Sequence, residues 1–394
     1  MRILVLGGTG YVGAALVRQL LAEGHSVAVF HRGSPACAGQ NPAPLLHLHG
    51  NRLDLERYRR AFAAFEPEVV VDAIAASGLA AQRTLRTLAG LAQHIVFLSS
   101  MDVYRACGVF HGTEPGEPEA ALLNENAPLR ANPGLYPASV LERLRYLLGW
   151  LDEGYDKVGM ERAASAWSHG EASRGEVTIV RLPQVYGPGD YQHRLYPLWR
   201  RMRDGRRAIL LQRGWAEWRS PRGYVDNMAA GIALAATTPH AGGRVYNLAD
   251  ARHFSEAEWA QQVGAAWGWS GRVVVAAPEH TPPHLRVHAN TAQHWMADTS
   301  RIRRELGYRE RVELPAALAA TLAWEQAHPP QGEDSGLFDY ASEDAVLRGL
   351  GMAAEAGAAG GKRTANRANS AAITISTQRL PSGPTVPPVI QREP

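Results

Sequence analysis

"RILVLGGTGYVGAALVRQLLAEG", residues 2–24, decides the fold of this 394-residue chain. The short apolar run 2–6 is typical of a buried parallel strand, because it ends abruptly in glycines. The segment 11–24 has helical periodicity and stops at a glycine, a residue that often ends helices. The stretch therefore predicts a strand, a tight turn and a helix.

Three glycines occupy the predicted turn at a spacing of three: Gly7, Gly10 and Gly13. A tight turn, a close approach of the backbone to a pyrophosphate and close helix–strand packing each require a residue without Cβ. The unpaired N–H groups at the helix start, around Tyr11 and Val12, then face the phosphates. The sequence predicts a dinucleotide-binding turn here.

The same alternation continues along the chain. Further strands are predicted over 26–33, 45–50, 68–75, 94–100 and 176–182, with helices between several of them. This order predicts an α/β fold, a Rossmann-type doubly wound parallel sheet with helices on both faces.

The domain organisation follows from where this rhythm changes. We predict a nucleotide-binding domain over 1–182, with a turn-rich insertion at about 105–150, and a smaller, discontinuous C-terminal substrate domain over 183–350. The segment 355–394 is rich in Ala, Gly, Ser and Pro and lacks periodicity. It is predicted to be disordered, because it cannot bury enough apolar surface.

The bulk composition is that of an ordinary globular protein, 45% hydrophobic and 20% charged, with a net charge of +3. The nearest approach to a basic stripe, 200–207, is typical of a solvated helix end, so no nucleic-acid partner is expected. Cys37 and Cys107 lack zinc-ligand spacing, and no metal site is expected. No apolar run reaches the length of about 18 residues that a membrane helix needs, and no leader pattern is present. We expect a cytoplasmic protein with a small-molecule substrate; a homodimer is left open.

The end of the second predicted strand bears on the cofactor. NAD-binding enzymes usually place a carboxylate there for the ribose hydroxyls. This strand ends in His31 and Arg32, and an arginine can pair with a 2′-phosphate. The pattern favours NADP over NAD, although Arg32 is also compatible with a simple surface position.

Lysine is rare in this chain. Of its 41 basic residues only two are lysines, Lys157 and Lys362. Lysine carries a compact ammonium on a flexible stem, whereas arginine carries a planar fork. Lys157 is therefore either a chance occurrence or a point charge inside a tight cleft.

Taken together, several motifs resemble the extended, partly atypical, short-chain dehydrogenase/reductase superfamily, and more narrowly the NAD-dependent epimerase/dehydratase family. The resemblance runs over roughly residues 1–330. It rests on "GGTGYVG" (7–13), "VFLSSMDVY" (96–104), "NENAPL" (124–129), "YDKVGMER" (155–162), "VRLPQVYGPGD" (180–190), "GYVDN" (223–227), "RVYNLA" (244–249) and "LGY" (306–308).

The resemblance implies a catalytic serine, tyrosine and lysine. Ser100 matches the serine that hydrogen-bonds the reacting oxygen. Lys157 matches the lysine that binds the nicotinamide ribose and lowers the tyrosine pKa by its charge.

The tyrosine departs from the family pattern. It should stand four residues before Lys157, but that position is Glu153, and Tyr155 stands two before. On a helix, four residues correspond to ~400° of rotation and two to ~200°, nearly the opposite face. Tyr155 reaches the site only if the helix begins near 156, after Gly154. Three alternatives stay open: Tyr155 acts from such a reshaped helix start, Glu153 or another group is the base, or the proton-transfer role is lost.

Further candidates follow from the resemblance. Asn51 stands after the third strand, where relatives often have an acid that touches adenine, and Pro183 stands where the family backbone lines the nicotinamide. His193 lies near the expected substrate cleft. Arg219 and Arg222, among tryptophans, are candidates for a substrate diphosphate, or for packing of a lid.

The resemblance implies an NAD(P)-dependent epimerase, dehydratase or reductase. Its substrate is expected to be sugar-like or a nucleotide sugar, with the reaction at a hydroxyl or keto carbon. The alternative is a non-catalytic cofactor-binding protein, a redox sensor or an RNA-associated factor.

Overall fold

A computed structural model shows how the glycine-rich turn is built into a parallel sheet. The structure describes residues 1–33, 45–119, 122–148, 151, 154–168, 175–330 and 335–352. The segment predicted to be disordered, 355–394, lies outside these ranges, as do Cys37 and Glu153.

Thirteen strands occur in the described ranges. They are β1 (Arg2–Leu6), β2 (Ser26–His31), β3 (Leu45–His49), β4 (Val69–Asp72), β5 (His94–Ser100), β6 (Leu122–Leu123), β7 (Glu176–Leu182), β8 (Gln184–Tyr186), β9 (Ala208–Gln212), β10 (Arg222–Tyr224), β11 (Val245–Asn247), β12 (Arg272–Ala276) and β13 (Met296–Ala297). Seven of them form one sheet in the order β11-β7-β5-β4-β1-β2-β3, and every neighbouring pair in it is parallel. The predicted doubly wound fold is confirmed.

The helices of the described ranges cover this sheet and build the region beyond it. They are α1 (Tyr11–Ala22), α2 (Arg59–Phe65), α3 (Gly78–Leu88), α4 (Arg105–His111), α5 (Ala138–Leu148), α6 (Lys157–Ser168), α7 (Tyr196–Arg203), α8 (Arg213–Glu217), α9 (Val225–Thr237), α10 (Glu256–Trp267), α11 (Ser300–Leu306), α12 (Leu314–Ala327) and α13 (Tyr340–Gly349).

The central strand β1 shows why both faces of the sheet need helices. Its four residues Ile3 to Leu6 are fully buried. Because side chains alternate along a strand, Ile3 and Val5 pack into the core under α1 and α9. Leu4 and Leu6 pack into the opposite core with α3 and α6. A strand that is buried on both faces has a continuous run of apolar residues, and residues 3–6 form such a run.

The small strands β8, β9 and β6 pair in parallel with β10, β12 and β13 respectively. The large sheet itself takes its edge strand β11, and the helix α9 that covers it, from beyond residue 182. The sheet is thus discontinuous in sequence, and the division into domains at 182 stays a prediction.

The fourth strand is shorter than predicted, ending at Asp72 instead of 75. Its last side chain explains this, because the carboxylate of Asp72 accepts the N–H groups of Ile74 (3.0 Å) and Ala75 (2.9 Å) and turns the chain out of the sheet. The same carboxylate forms a buried ion pair with Arg52 (3.1 Å) and accepts the Thr84 hydroxyl (2.7 Å). One buried carboxylate therefore shapes the loop that follows β4.

We predict that Asp72→Asn lowers the free energy of unfolding by about 3–5 kcal/mol, because it leaves the buried Arg52 charge without a counter-ion. Burial raises the pKa of Asp72, but the charge and hydrogen bonds of Arg52 outweigh it and the net shift is downward. The contribution is therefore full at neutral pH and is lost only as the pH falls below about 4. Urea unfolding checks this, with Asp54→Asn as control, because Asp54 pairs with Arg57 at the exposed surface. Equal stability of the two variants contradicts the prediction.

Candidate functional site

A cleft of about 810 Å³ opens at the carboxyl ends of β1, β4, β5 and β7. It lies where the strand order reverses between β1 and β4, the usual ligand position in doubly wound sheets. The cleft is lined by residues that end or follow these strands, including Gly7, Ala73, Ser100 and Pro183. No group of three or more potential metal ligands occurs in the described part of the chain.

The glycine turn forms one end of the cleft, and Gly7, Gly10, Tyr11, Val12 and Gly13 all line it. Gly7 has a φ of +86°, a left-handed conformation that favours glycine. A Cβ on Gly13 would lie 2.2 Å from the Gly7 carbonyl oxygen, so helix and turn touch through bare backbone. A Cβ on Gly10 would meet nothing closer than 3.9 Å, so the space above it is open.

These observations fit a dinucleotide. The open space beside Gly10 lets a pyrophosphate approach the backbone, and α1 starts at the next residue with its N–H groups directed at it. A side chain at Gly10 would fill that space.

The residues expected at the adenosine end lie outside the cleft lining. His31 is buried and its Nε2 lies 3.1 Å from His47 Nδ1. Arg32 is exposed at the end of β2. The side chain of Asn51 accepts the N–H of Leu53 at 3.0 Å, so it caps a 3-10 turn.

Lys157 is the first residue of α6, and its side chain is 6% exposed. Its ammonium donates to the carbonyl oxygens of Ala75 (2.7 Å), in the loop after β4, and of Leu98 (2.8 Å), within β5. An ammonium has three N–H donors, so within the described residues one remains for a ligand in the cleft. Burial lowers the pKa of Lys157 to about 8, against the opposing charges of Asp72 and Asp102.

The helix start decides where Tyr155 points. Gly154 has a φ of +87°, and α6 begins only at Lys157. Asp156 accepts the N–H of Gly159 at 2.9 Å, which closes the first helical turn. Tyr155 therefore precedes the helix, so the direction of its side chain is not set by the rotation per residue of a helix. The structure brings its side chain into the cleft beside Ser100 and Lys157.

The sequence analysis missed Asp102, which holds the Tyr155 hydroxyl. Tyr155 donates to Asp102 Oδ2 at 2.5 Å, and Tyr136, from the insertion, donates to the same oxygen at 3.1 Å. Asp102 is 2% exposed, and the guanidinium of Arg130 lies 4.0 Å from its other oxygen. The sequence did show an acid two residues after Ser100. Its two tyrosine partners lie 34 and 53 residues further along the chain, so their contact with Asp102 could not be predicted from spacing.

The tyrosine pKa shifts in a direction opposite to the one that the family resemblance implies. Burial raises the pKa of Tyr155 well above its usual value, and the charge of Asp102 raises it further; a hydrogen bond with Ser100 opposes this. Burial and Asp102 also raise the pKa of Tyr136. Both phenols are therefore protonated and act as donors in this arrangement.

The predicted substrate residues are distributed differently. Arg222 lines the cleft, but Arg219 does not, because its guanidinium binds Glu258 (2.8 Å) and the His253 carbonyl. His193 also lies outside the lining: its Nδ1 is 2.7 Å from the buried Glu325. The positions of His193 and Arg219 thus give no support to a substrate role. Their carboxylate partners lie too far along the chain to be paired with them by sequence.

A group of aromatic side chains lines the cleft. It consists of Phe110, Tyr136, Trp215, Trp218 and Trp295. Trp215 and Trp218 are stacked at 4.8 Å between ring centroids, and Phe110 stacks on Trp218 at 4.6 Å. We call these five residues the aromatic wall.

The family model "NAD dependent epimerase/dehydratase family" matches residues 3–116 and 154–249, more than half of the chain. The chain belongs to this family. The unmatched residues 117–153 cover most of the predicted insertion, including Tyr136. No helix among the described residues is long and apolar enough to cross a bilayer.

Several curated relatives and solved structures are similar to this chain over most of its length. A dTDP-glucose 4,6-dehydratase of Streptomyces griseus is 28% identical over 83% of this chain and 94% of its own length. A 2′-dehydrokanamycin reductase of Streptomyces kanamyceticus is 30% identical over 64% of this chain and 62% of its own length. The UDP-glucuronic acid 4-epimerase of Bacillus cereus, solved with UDP-glucuronic acid and NAD, superposes with a TM-score of 0.60 at 17% identity, over 83% of this chain and all of the other.

We predict that Lys157→Arg and Lys157→Ala both weaken binding of the reduced dinucleotide by about tenfold or more, the worth of a charged hydrogen bond. The larger guanidinium cannot occupy the space between the two carbonyls. Calorimetry checks this, with Arg162→Ala as control, since Arg162 is an exposed cation on the same helix.

Measuring the cofactor affinity over a pH series gives a second test of the same role. Because the pKa of Lys157 is about 8, the charged form is lost as the pH rises through that value. Cofactor affinity should then decline in the wild type and in Arg162→Ala. Full affinity in both Lys157 variants contradicts the ribose role.

Proposed function

We propose that this chain is an NAD(P)-dependent epimerase, dehydratase or reductase that acts on a hydroxyl or keto carbon of a sugar-like or nucleotide-sugar substrate. The observation that carries the proposal is the meeting of Ser100, Asp102, Tyr155 and Lys157 at the cleft, next to the glycine turn. The relatives that support it are named for dTDP-glucose and 2′-dehydrokanamycin.

The chain's own residues divide the work. Gly7, Gly10 and Gly13, with the start of α1, hold the dinucleotide phosphates, and Lys157 holds the nicotinamide ribose. A bound nicotinamide dinucleotide supplies hydride transfer to or from carbon. The protein must then supply or remove the proton of the neighbouring oxygen.

Tyr155 is the proton-transfer group in this proposal. Its phenol is protonated and donates to Asp102, so it is ready to donate to a substrate carbonyl oxygen instead. The Ser100 hydroxyl orients that oxygen. In the reverse direction, the Tyr155 phenolate takes the proton from a substrate hydroxyl, and the nearby Asp102 carboxylate favours the phenol that forms. Glu153 stays an alternative base that the described residues do not test.

We predict that Tyr155→Phe lowers turnover by about 10²–10⁴-fold, the usual worth of a positioned acid–base group, and leaves cofactor affinity nearly unchanged. Tyr136→Phe is the matched control, because it removes a phenol from the same carboxylate oxygen. We expect it to retain most of the turnover. The measurement is product formation, read by NMR and mass spectrometry, with dTDP-glucose, UDP-glucuronic acid and their keto derivatives, and with 2′-dehydrokanamycin. Consumption of reduced nicotinamide is followed as well, because a net reduction consumes it whereas epimerisation and dehydration do not.

Two outcomes contradict this assignment. Unchanged turnover in Tyr155→Phe together with a loss in Glu153→Gln moves the role to Glu153. Cofactor binding without turnover of any of these compounds favours the non-catalytic alternative.

The choice of NADP over NAD is a finer part of the proposal. Gly7 N–H donates to the Phe30 carbonyl at 3.0 Å, which places the end of β2 next to the glycine turn. No acidic residue occurs between Glu23 and Asp54, so β2 and the segment after it offer no carboxylate for the ribose hydroxyls. Arg32, exposed at that strand end, is the candidate for contact with a 2′-phosphate.

We predict tighter binding of NADPH than of NADH, and a preference reduced by about tenfold or more in Arg32→Ala. Arg60→Ala, which removes another exposed arginine, should keep the wild-type preference. Calorimetry with both dinucleotides checks this. Equal or tighter NADH binding by the wild type overturns it.

A further inference from the structure

The pairing of the cationic side chains in the cleft bears on which substrate can bind. Within the described ranges they are Lys157, Arg194, Arg201 and Arg222. Lys157 lies at the cofactor end and binds two backbone carbonyls. The three arginines come from the part of the chain beyond residue 182, and we call the part of the cleft that they line the substrate side. A nucleotide diphosphate bound there would need cations of this kind.

Arg222 is already paired within the chain. Its guanidinium donates to Glu256 and lies 4.6 Å over the ring of Trp259. Both partners of the ion pair are nearly buried, with 8% and 12% of their side chains exposed.

The other two arginines are also paired with carboxylates, although Arg194 is more exposed, with 29% of its side chain accessible. Arg201, 6% exposed, binds Glu343 at 2.6 Å, and the same guanidinium donates to the Leu337 carbonyl at 2.7 Å. Arg194 binds Asp190 at 2.7 Å and the Val185 carbonyl at 3.0 Å. Each arginine of the substrate side thus has its own carboxylate.

A diphosphate would have to compete with these carboxylates. Displacing Glu256 or Glu343 from its arginine leaves a buried carboxylate without a counter-ion, which is strongly unfavourable. Leaving the pair intact offers a diphosphate a neutral ion pair instead of a free cation. A bound dinucleotide would avoid this conflict, because the N–H groups at the start of α1 would hold its phosphates.

The aromatic wall supplies a different type of contact. Trp215 is half-buried at the cleft and stacks on the fully buried Trp218. Tyr136, also half-buried, adds a second ring with a hydroxyl. Aromatic faces bind apolar surface with little entropy cost, and the C–H face of a sugar ring is such a surface. The wall lies in the same cleft as the Tyr155 hydroxyl.

From these two observations we infer that the cleft takes a saccharide or glycoside without a phosphate group, bound through its ring faces on the aromatic wall. Because the three arginines are neutralised within the chain, a nucleotide diphosphate is excluded from the substrate side. This inference rests on the proposed function, which it narrows to sugars that are not linked to a nucleotide.

The first test compares two probes on protein saturated with NADPH: dTDP-glucose and phenyl β-D-glucopyranoside. Saturation-transfer NMR and tryptophan fluorescence report binding. We expect phenyl glucoside to bind at least as tightly as dTDP-glucose, and Trp215→Ala to weaken it. Tighter binding of dTDP-glucose, by tenfold or more, overturns the inference.

The second test releases one arginine. Glu256→Gln keeps the shape of the pair and removes its negative charge, so affinity for dTDP should rise by about tenfold or more. Glu258→Gln is the matched control, two residues along the same helix, because it releases Arg219, which does not line the cleft. Unchanged dTDP affinity in Glu256→Gln overturns the claim that the ion pair excludes the diphosphate.

Failure of this inference is distinct from failure of the proposed function. If the protein does not bind NADPH or NADH, the proposed function fails. If it binds the dinucleotide and prefers dTDP-glucose, the proposed function stands and the inference fails.

Discussion

The candidate site depends on the two hydrogen bonds that the Lys157 ammonium donates to Ala75 and Leu98. They join the start of α6 to β5 and to the loop that follows the adjacent strand β4. Asp156, the residue before the helix, is fixed as well, because its N–H donates to the Ala76 carbonyl at 2.7 Å. Tyr155 comes directly before this anchor, so its approach to Asp102 follows from the same contacts. A guanidinium is too large for this position, which explains a lysine in a chain built almost entirely with arginine.

The fold and the glycine turn were predictable because they depend on local constraints. A buried strand needs apolar residues on both faces, and a close approach of backbone to backbone needs glycine; both leave a mark in a few consecutive residues. The end of β4 was not predictable in this way, because the hydrogen bonds of the Asp72 carboxylate with its own neighbours decide where the strand stops. The family model and the superposed structures agree with the predicted fold over most of the chain.

The candidate site was predictable only in part. Ser100 and Lys157 stand at family spacings, and the structure places both at the cleft. Asp102 and Tyr136 were missed because their contact joins the end of β5 to an insertion. His193 was a substrate candidate because it lies near the expected cleft in the sequence. Its pairing with Glu325, 132 residues away, could not be inferred from the sequence. Pairings over such distances depend on tertiary structure, which spacing alone does not report.

The scarcity of lysine has a practical consequence. Amine-directed reagents modify deprotonated amines, and a lysine whose pKa is about 8 supplies them at mildly alkaline pH, where ordinary lysines do not. In this chain the side-chain amines are Lys157 and Lys362. Acylation of Lys157, read by mass spectrometry of its peptide, therefore reports directly on whether the cleft is occupied. Lys157, the one lysine of the described residues, can thus report by its chemical reactivity on whether the site is occupied.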